Sequence, residues 1–288
     1  MIDFTNTKEE FNTYSGSEKK KTLIYNEKKY LVKFPDPIRE KNKNISYINN
    51  AFSEYIGSNI FKICGFNTQE TILGKYNYKG NEKIVCACQD FTSFTKDLFE
   101  FSNLALSFNP DKKIETEITD IMEVLEESKT LIKIDDIKEK FWDMFIIDTL
   151  IGNTNRHNGN WGFIFDSQAD KFYVCPIYDC GSCLNPTFSD EDMEKTSENE
   201  LKNIALNTHS CLKENNKKIN SLMYIKSMKN ILVNEALKKT FPNINIEQII
   251  TFINNIDCIS QTRKDFYTKI LKIRYQELAI VYQKLNSN

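Results

Sequence analysis

The sequence predicts an α+β fold, with a small β-rich part ahead of a larger helical part. Paired runs of strand-type residues around short polar turns cluster in the first 90 residues. Helical hydrophobic periods fill most of the remaining chain, and no repeat or long Pro/Gly/Ser linker divides it. At 288 residues it suits one large domain or two closely packed lobes.

Residues 22–25 and 29–34 flank the polar turn Asn26-Glu27-Lys28 and predict a hairpin. Residues 46–64 predict a helix: Ser46 suits the N-cap, Phe52, Ile56, Ile60 and Ile63 share a face, and Gly65 stops it. Two further strands, 71–78 and 83–89, surround Lys79-Gly80-Asn81. From about Asp90 helices dominate, with periodic segments at 115–127 and 135–151, the second ending at Gly152. One β interruption is expected, 161–165 and 172–175 around a turn. After Pro186 the chain reads as helices to its end, the longest near 260–285.

Thirty-eight basic and 40 acidic residues leave a net charge of −2, so no global basic field supports binding to nucleic acid. No apolar run approaches a membrane span; the best, residues 144–151, is interrupted by Asp148. The first residues lack the regions of a signal peptide, so a cytoplasmic protein is expected, with translocation as an effector left open. The eight Cys are expected to be free thiols, with Cys86, Cys88, Cys175 and Cys258 buried.

The chemistry concentrates in Gly152-Asn-Thr-Asn-Arg-His-Asn-Gly-Asn160 and in Tyr178-Asp179-Cys180-Gly181. Asn160 and Asp179 stand just before and just after the expected hairpin, which can bring their oxygens together. An amide oxygen and a carboxylate suit Mg²⁺, which takes few protein ligands and completes its shell with phosphate and water. Arg156 and His157 add donors beside them. Loops seldom gather such groups without function.

This pattern resembles the Asp-Arg-His-x-x-Asn…Asp-x-Gly signature of the HipA-like kinases, shared with the phosphatidylinositol 3/4-kinase superfamily. The likeness extends to Tyr30-Leu-Val-Lys-Phe-Pro35, Phe52-Ser-Glu-Tyr55, Gln69-Glu-Thr71, Ala87-Cys-Gln-Asp-Phe-Thr92 and Phe141-Trp-Asp-Met-Phe145, and so covers most of residues 3–186. It implies a two-lobed protein-kinase-like fold, an N-lobe of residues 1–90 and a helical C-lobe of 91–288, with ATP and Mg²⁺ between them. By resemblance, Lys33 reaches the α- and β-phosphates and Glu54 pairs with Lys33. Asn160 and Asp179 hold the metal, and main-chain groups of Cys88, Gln89 and Asp90 hold adenine. The implied activity is phosphoryl transfer to Ser or Thr of a protein, the chain itself included. A toxin role, with an antitoxin or host protein as partner, belongs to the same implication.

Two departures stand out. Asn155 occupies the position of the family's catalytic Asp; an amide keeps the shape but cannot take a proton near neutral pH. Two explanations stay open: a deliberate Asp→Asn change, favoured by the intact remainder, or a natural pseudokinase. No Gly-x-Gly-x-x-Gly precedes the first hairpin; only Ser15-Gly16-Ser17 offers main-chain N–H groups and hydroxyls to phosphate.

Other motifs lead nowhere. Cys180-Gly-Ser-Cys183 lacks the distant His and Asn of a Cys protease and any zinc-ligand spacing. His157 is expected to be structural rather than an acid or base, and Phe141, Trp142 and Phe145 to be core. The rival activities are a nucleotide-binding pseudokinase, a small-molecule or lipid kinase, and an adenylyl transferase.

Overall fold

The computed structural model describes residues 1–11, 19–36, 46–108 and 115–287. Strands β1 (Ile2–Asp3), β2 (Lys8–Glu10), β3 (Lys20–Tyr25), β4 (Lys28–Lys33), β5 (Thr71–Tyr78) and β6 (Asn81–Gln89) form one sheet in the order β1-β5-β6-β4-β3-β2. All neighbours are antiparallel except β1 and β5. The β3–β4 turn is two residues, Asn26 and Glu27, both left-handed at φ 48° and 61°, the geometry that matches strand twist. Lys79 and Gly80 turn β5 into β6 in the same way.

Alternation sorts the two faces of this sheet. Leu23, Val32, Val85 and Ala87 pack with Phe4, Tyr30, Phe34 and Tyr76 on one face. Cys86 and Cys88 occupy the other and meet Ala51 of helix α1 (Asn50–Ile63). Lys33 is the cross-strand partner of Cys86, so the register sets it on the face that α1 covers.

The helix starts four residues later than the sequence predicts. Asn49, not Ser46, is the N-cap, and Ser46 is buried. The Asn49 side chain donates to the Phe188 carbonyl instead of capping, and the Asn49 N–H donates to the Pro186 carbonyl. Tertiary bonds therefore decide where α1 begins. Gly65, left-handed at φ 87°, follows its end.

Helix α2 (Phe101–Phe108), α3 (Ile118–Ile132) and α4 (Ile137–Ile151) come next. All residues of α4 from Phe141 onward are buried, including Phe141, Trp142 and Phe145. The single β interruption expected here is larger: β7 (Lys96–Glu100) joins β8 (Gly162–Asp166) and β9 (Lys171–Val174) in an antiparallel sheet.

The helical expectation beyond Pro186 also needs correction. After α5 (Asp190–Lys195) and α6 (Glu198–Leu206), β10 (His209–Glu214) and β11 (Lys217–Asn220) form a hairpin. Its turn is Asn215-Asn216, left-handed at φ 54° and 61°, because Asn tolerates this region. Helices α7 (Ser221–Lys226), α8 (Ile231–Thr240), α9 (Ile246–Asn254) and α10 (Gln261–Asn286) complete the chain. The Cys residues are free thiols, and seven are buried; Cys258 is half-buried rather than core. No described helix is long and apolar enough to cross a membrane.

Candidate active site

Helix α4 delivers the chain to the polar loop, and Gly152 ends it in the left-handed conformation at φ 67°. The loop is held by its own side chains. Asn153 Oδ1 accepts the Asn155 N–H (3.2 Å), and Asn153 Nδ2 donates to Asp148 (2.9 Å). The Asn155 carbonyl accepts the His157 N–H (2.9 Å) and Asn160 Nδ2 (2.8 Å). With that nitrogen engaged, Oδ1 is the Asn160 atom left to face a cation. Tyr178 closes the loop through its hydroxyl on the Gly159 carbonyl (2.9 Å).

Arg156 lies beneath the loop, 4% exposed. Its Nε donates to Asp148 Oδ2 (2.9 Å) and its Nη2 to Oδ1 (3.1 Å), a bidentate pair from the last turns of α4. Its Nη1 donates to the carbonyls of Asn160 (3.0 Å) and Tyr178. One guanidinium thus ties α4, the loop and the segment entering Asp179. Burial opposes its charge, but Asp148 more than restores it, and Arg156 is held well above the ordinary guanidinium value.

Lys33 sits between two acids. Its Nζ is 2.8 Å from Glu54 Oε2 and 2.6 Å from Asp179 Oδ1. Glu54 is fully buried, and its other oxygen accepts the Cys180 N–H (3.0 Å). An added Cβ at Gly181 would lie 3.1 Å from Glu54, so glycine lets this segment close onto the carboxylate. Asp179 is left-handed at φ 56°, a strained conformation for a residue with a side chain. Burial works against its ionisation, but Lys33 in contact, with Arg156 and His157 beyond, keeps its carboxyl below the usual range.

Helix α1 is tied to the stretch after Asp179 by more than Glu54. Ser53 Oγ donates to the Cys183 carbonyl (2.6 Å), and Cys183 Sγ to the Ser53 carbonyl (3.2 Å). An added Cβ at Gly57 would lie 2.7 Å from Cys180 Cβ and 2.9 Å from Cys183 Sγ. Burial pushes the Cys180 thiol up to about 12 and Cys183 well above its ordinary value, so both are unreactive packing groups.

The structure thus gathers Lys33, Glu54 and Asp179, and separately joins Asn155, Arg156 and Asn160 within one loop. His157 is exposed, and its Nδ1 accepts the Gly159 N–H (3.0 Å). Cys88 is buried at the end of β6. The N–H groups of Gln89 and Asp90 donate to Glu70 and Lys29 (both 2.8 Å), and the Gln89 carbonyl accepts Gln69 (3.0 Å). Ser15, Gly16 and Ser17 lie outside the described residues. An apolar cavity of about 330 Å³, lined by Phe66, Phe141, Met144, Trp161 and Ile177, shares Asn160 alone with these groups.

Asp148 and Asn153 escape a reading of the sequence. The signal is a carboxylate at the end of an otherwise apolar run, which a buried helix tolerates only with a partner. As donors, Asp179 and Asn160 fit Mg²⁺: both are hard oxygen ligands. Among the described residues no cluster of three His, Cys, Asp or Glu forms an all-protein cage. Two ligands suit a metal whose shell phosphate and water would complete.

The HipA-like C-terminal domain matches residues 13–251. The serine/threonine-protein kinase CtkA of Helicobacter pylori strain J99 is 35% identical over 308 aligned residues, which take in all of this chain and 92% of the relative. A crystal structure of the H. pylori proinflammatory kinase CtkA superposes with a TM-score of 0.86 at 34% identity, covering 99% of this chain and 98% of the other. A structure of the Shewanella oneidensis MR-1 toxin–antitoxin system, HipA with HipB and operator DNA, matches at TM-score 0.53 and 12% identity. That match covers 95% of this chain and 66% of the other, and shows likeness of fold.

Proposed function

The chain belongs to the HipA-like C-terminal domain family, and from that premise we propose that it is an ATP- and Mg²⁺-binding protein of the Ser/Thr kinase type. The observation that carries this reading is Lys33 held between Glu54 and Asp179. A strand lysine fixed by a helix glutamate beside an aspartate suited to a metal is the arrangement that protein kinases use for phosphoryl transfer. In this reading residues 1–90 form the lobe that covers the nucleotide, and residues 91–288 carry the transfer loop.

Lys33 binds the α- and β-phosphates as a point charge, and Glu54 fixes its direction. Asp179 and Asn160 hold Mg²⁺, which supplies charge neutralisation at the phosphates. Cys88 to Asp90 border the adenine slot. Arg156 is a positioning residue: its guanidinium is committed to Asp148 and to main-chain carbonyls, so it shapes the loop rather than touching substrate. Position 155 faces the acceptor hydroxyl. An Asp there accepts its proton; Asn155 leaves it in place and so blocks transfer while sparing nucleotide binding. The acceptor is a Ser or Thr of a protein, the chain itself included. The solved HipA structure holds HipB, so an antitoxin-like protein is one class of partner in this reading, and a host protein is the other.

Calorimetric titration with a non-hydrolysable ATP analogue tests this reading. Binding is expected that weakens at least about tenfold without Mg²⁺, since the metal neutralises the phosphates. Absence of binding under both conditions contradicts it. Asn155 itself favours a second reading, a natural pseudokinase that binds nucleotide and acts by interaction.

A further inference from the structure

Arg274, on α10, is 2% exposed, and among the described residues no carboxylate pairs with it. Its Nε donates to the Ala205 carbonyl (3.0 Å), Nη1 to the Leu150 carbonyl (3.4 Å) and Nη2 to Thr208 Oγ1 (2.7 Å). Leu150 and Ala205 stand one residue before the ends of α4 and α6. Helix C-termini present carbonyls without intrahelical partners and the negative end of the helix dipole. Two helix ends therefore balance this buried cation in place of an acid. Burial pushes its guanidinium down to about 10, so it stays charged near neutrality.

The same group presses on Gly152. An added Cβ there would lie 2.6 Å from the Arg274 guanidinium carbon, and φ at Gly152 is +67°. Two independent constraints thus meet at the residue where α4 hands the chain to the transfer loop. We infer that Arg274 is a positioning residue for phosphoryl transfer: through Gly152 and the Leu150 carbonyl, the last helix fixes the direction in which the loop 152–160 leaves α4. Arg274 lies beyond residues 13–251, so this latch comes from outside the segment that the family model matches. The inference rests on the kinase reading for its catalytic consequence, but the latch itself is independent of it.

The test uses Arg274→Met, Arg274→Lys and, as a control on the exposed side of α10, Lys269→Ala, each in the Asn155→Asp form. Folded Arg274→Met is expected to keep its KM for ATP and lose kcat by roughly 10²-fold, the cost of misplacing a reacting group by about 1 Å. Hydrogen exchange is expected to quicken at residues 152–160 while the far end of α10 stays protected. Arg274→Lys recovers part of the rate, and Lys269→Ala changes nothing. Unchanged kcat in folded Arg274→Met overturns the inference. So does faster exchange spread evenly over α6 and α10 with none specific to the loop. If Arg274→Met does not fold, Arg274→Lys, which keeps the charge but loses the fork that reaches Leu150 and Thr208, must give the same loop-specific exchange, and its absence overturns the inference. If Asn155→Asp transfers no phosphate, the kinase reading fails, and exchange at 152–160 in the present chain still decides the latch.

Discussion

Lys33 holds two carboxylates on one ammonium, with side chains 10% exposed for the lysine and fully buried for Glu54. Removing it leaves Glu54 as an uncompensated buried charge, which typically costs about 3–5 kcal/mol. Lys33→Met is therefore expected to lower stability by about that amount in urea unfolding and to abolish nucleotide binding. An unchanged unfolding midpoint would contradict the geometry. This pair is legible in the sequence because a strand register and a helical position each place one residue, and resemblance supplies the partners. Asp148 is not. Its partner Arg156 lies eight positions further on, across a loop, so no periodicity links them. A buried carboxylate inside an apolar run is the trace it leaves. Arg274 is invisible for a stronger reason: its acceptors are two main-chain carbonyls and a hydroxyl, which leave no pattern in sequence.

Among the elements, α1 depends on contacts with the stretch after Asp179. At Gly57 the two pack so closely that an added Cβ would lie 2.7 Å from Cys180 Cβ. Gly57→Val must push them apart, and overpacking of this kind typically costs about 1–3 kcal/mol. The expected outcome is a lower melting temperature together with at least tenfold weaker ATP-analogue binding, because Glu54 moves with the helix. Retained affinity in a destabilised protein would separate Glu54 from the nucleotide site. The two N-terminal hairpins are readable because short turns and strand alternation are local signals. Strand β7 and the β10–β11 hairpin are not. Lys96–Glu100 is largely exposed and becomes a strand only by pairing with β8. His209–Glu214 carries polar residues among its apolar ones, and only Asn215-Asn216 marks the turn.

For the whole molecule, charge links stability to pH through the same cluster. The native Asp179 carboxyl titrates below its ordinary value near 3.8. Its contribution is therefore complete above the unfolded value and is lost as pH falls through the native one. Partial solvent contact of its side chain, 34% exposed, moderates the effect. Urea unfolding between pH 6 and 3 is expected to show stability falling with acidification, with a shallower slope in Asp179→Asn. Equal slopes would mean that Asp179 is not stabilised by Lys33 in solution.

The fold ties these scales together. A sheet face sets Lys33, α1 brings Glu54, and the hairpin β8–β9 separates Asn160 from Asp179 in sequence while α4 and α10 set the loop. In the proposed reading this assembly is complete for phosphoryl transfer except at position 155. Intact-mass spectrometry after incubation with ATP and Mg²⁺, on this chain and on Asn155→Asp, tests it most directly. Phosphate-sized increments are expected on the Asp form alone. No increment on either form, with protein substrates also unmodified, would contradict it.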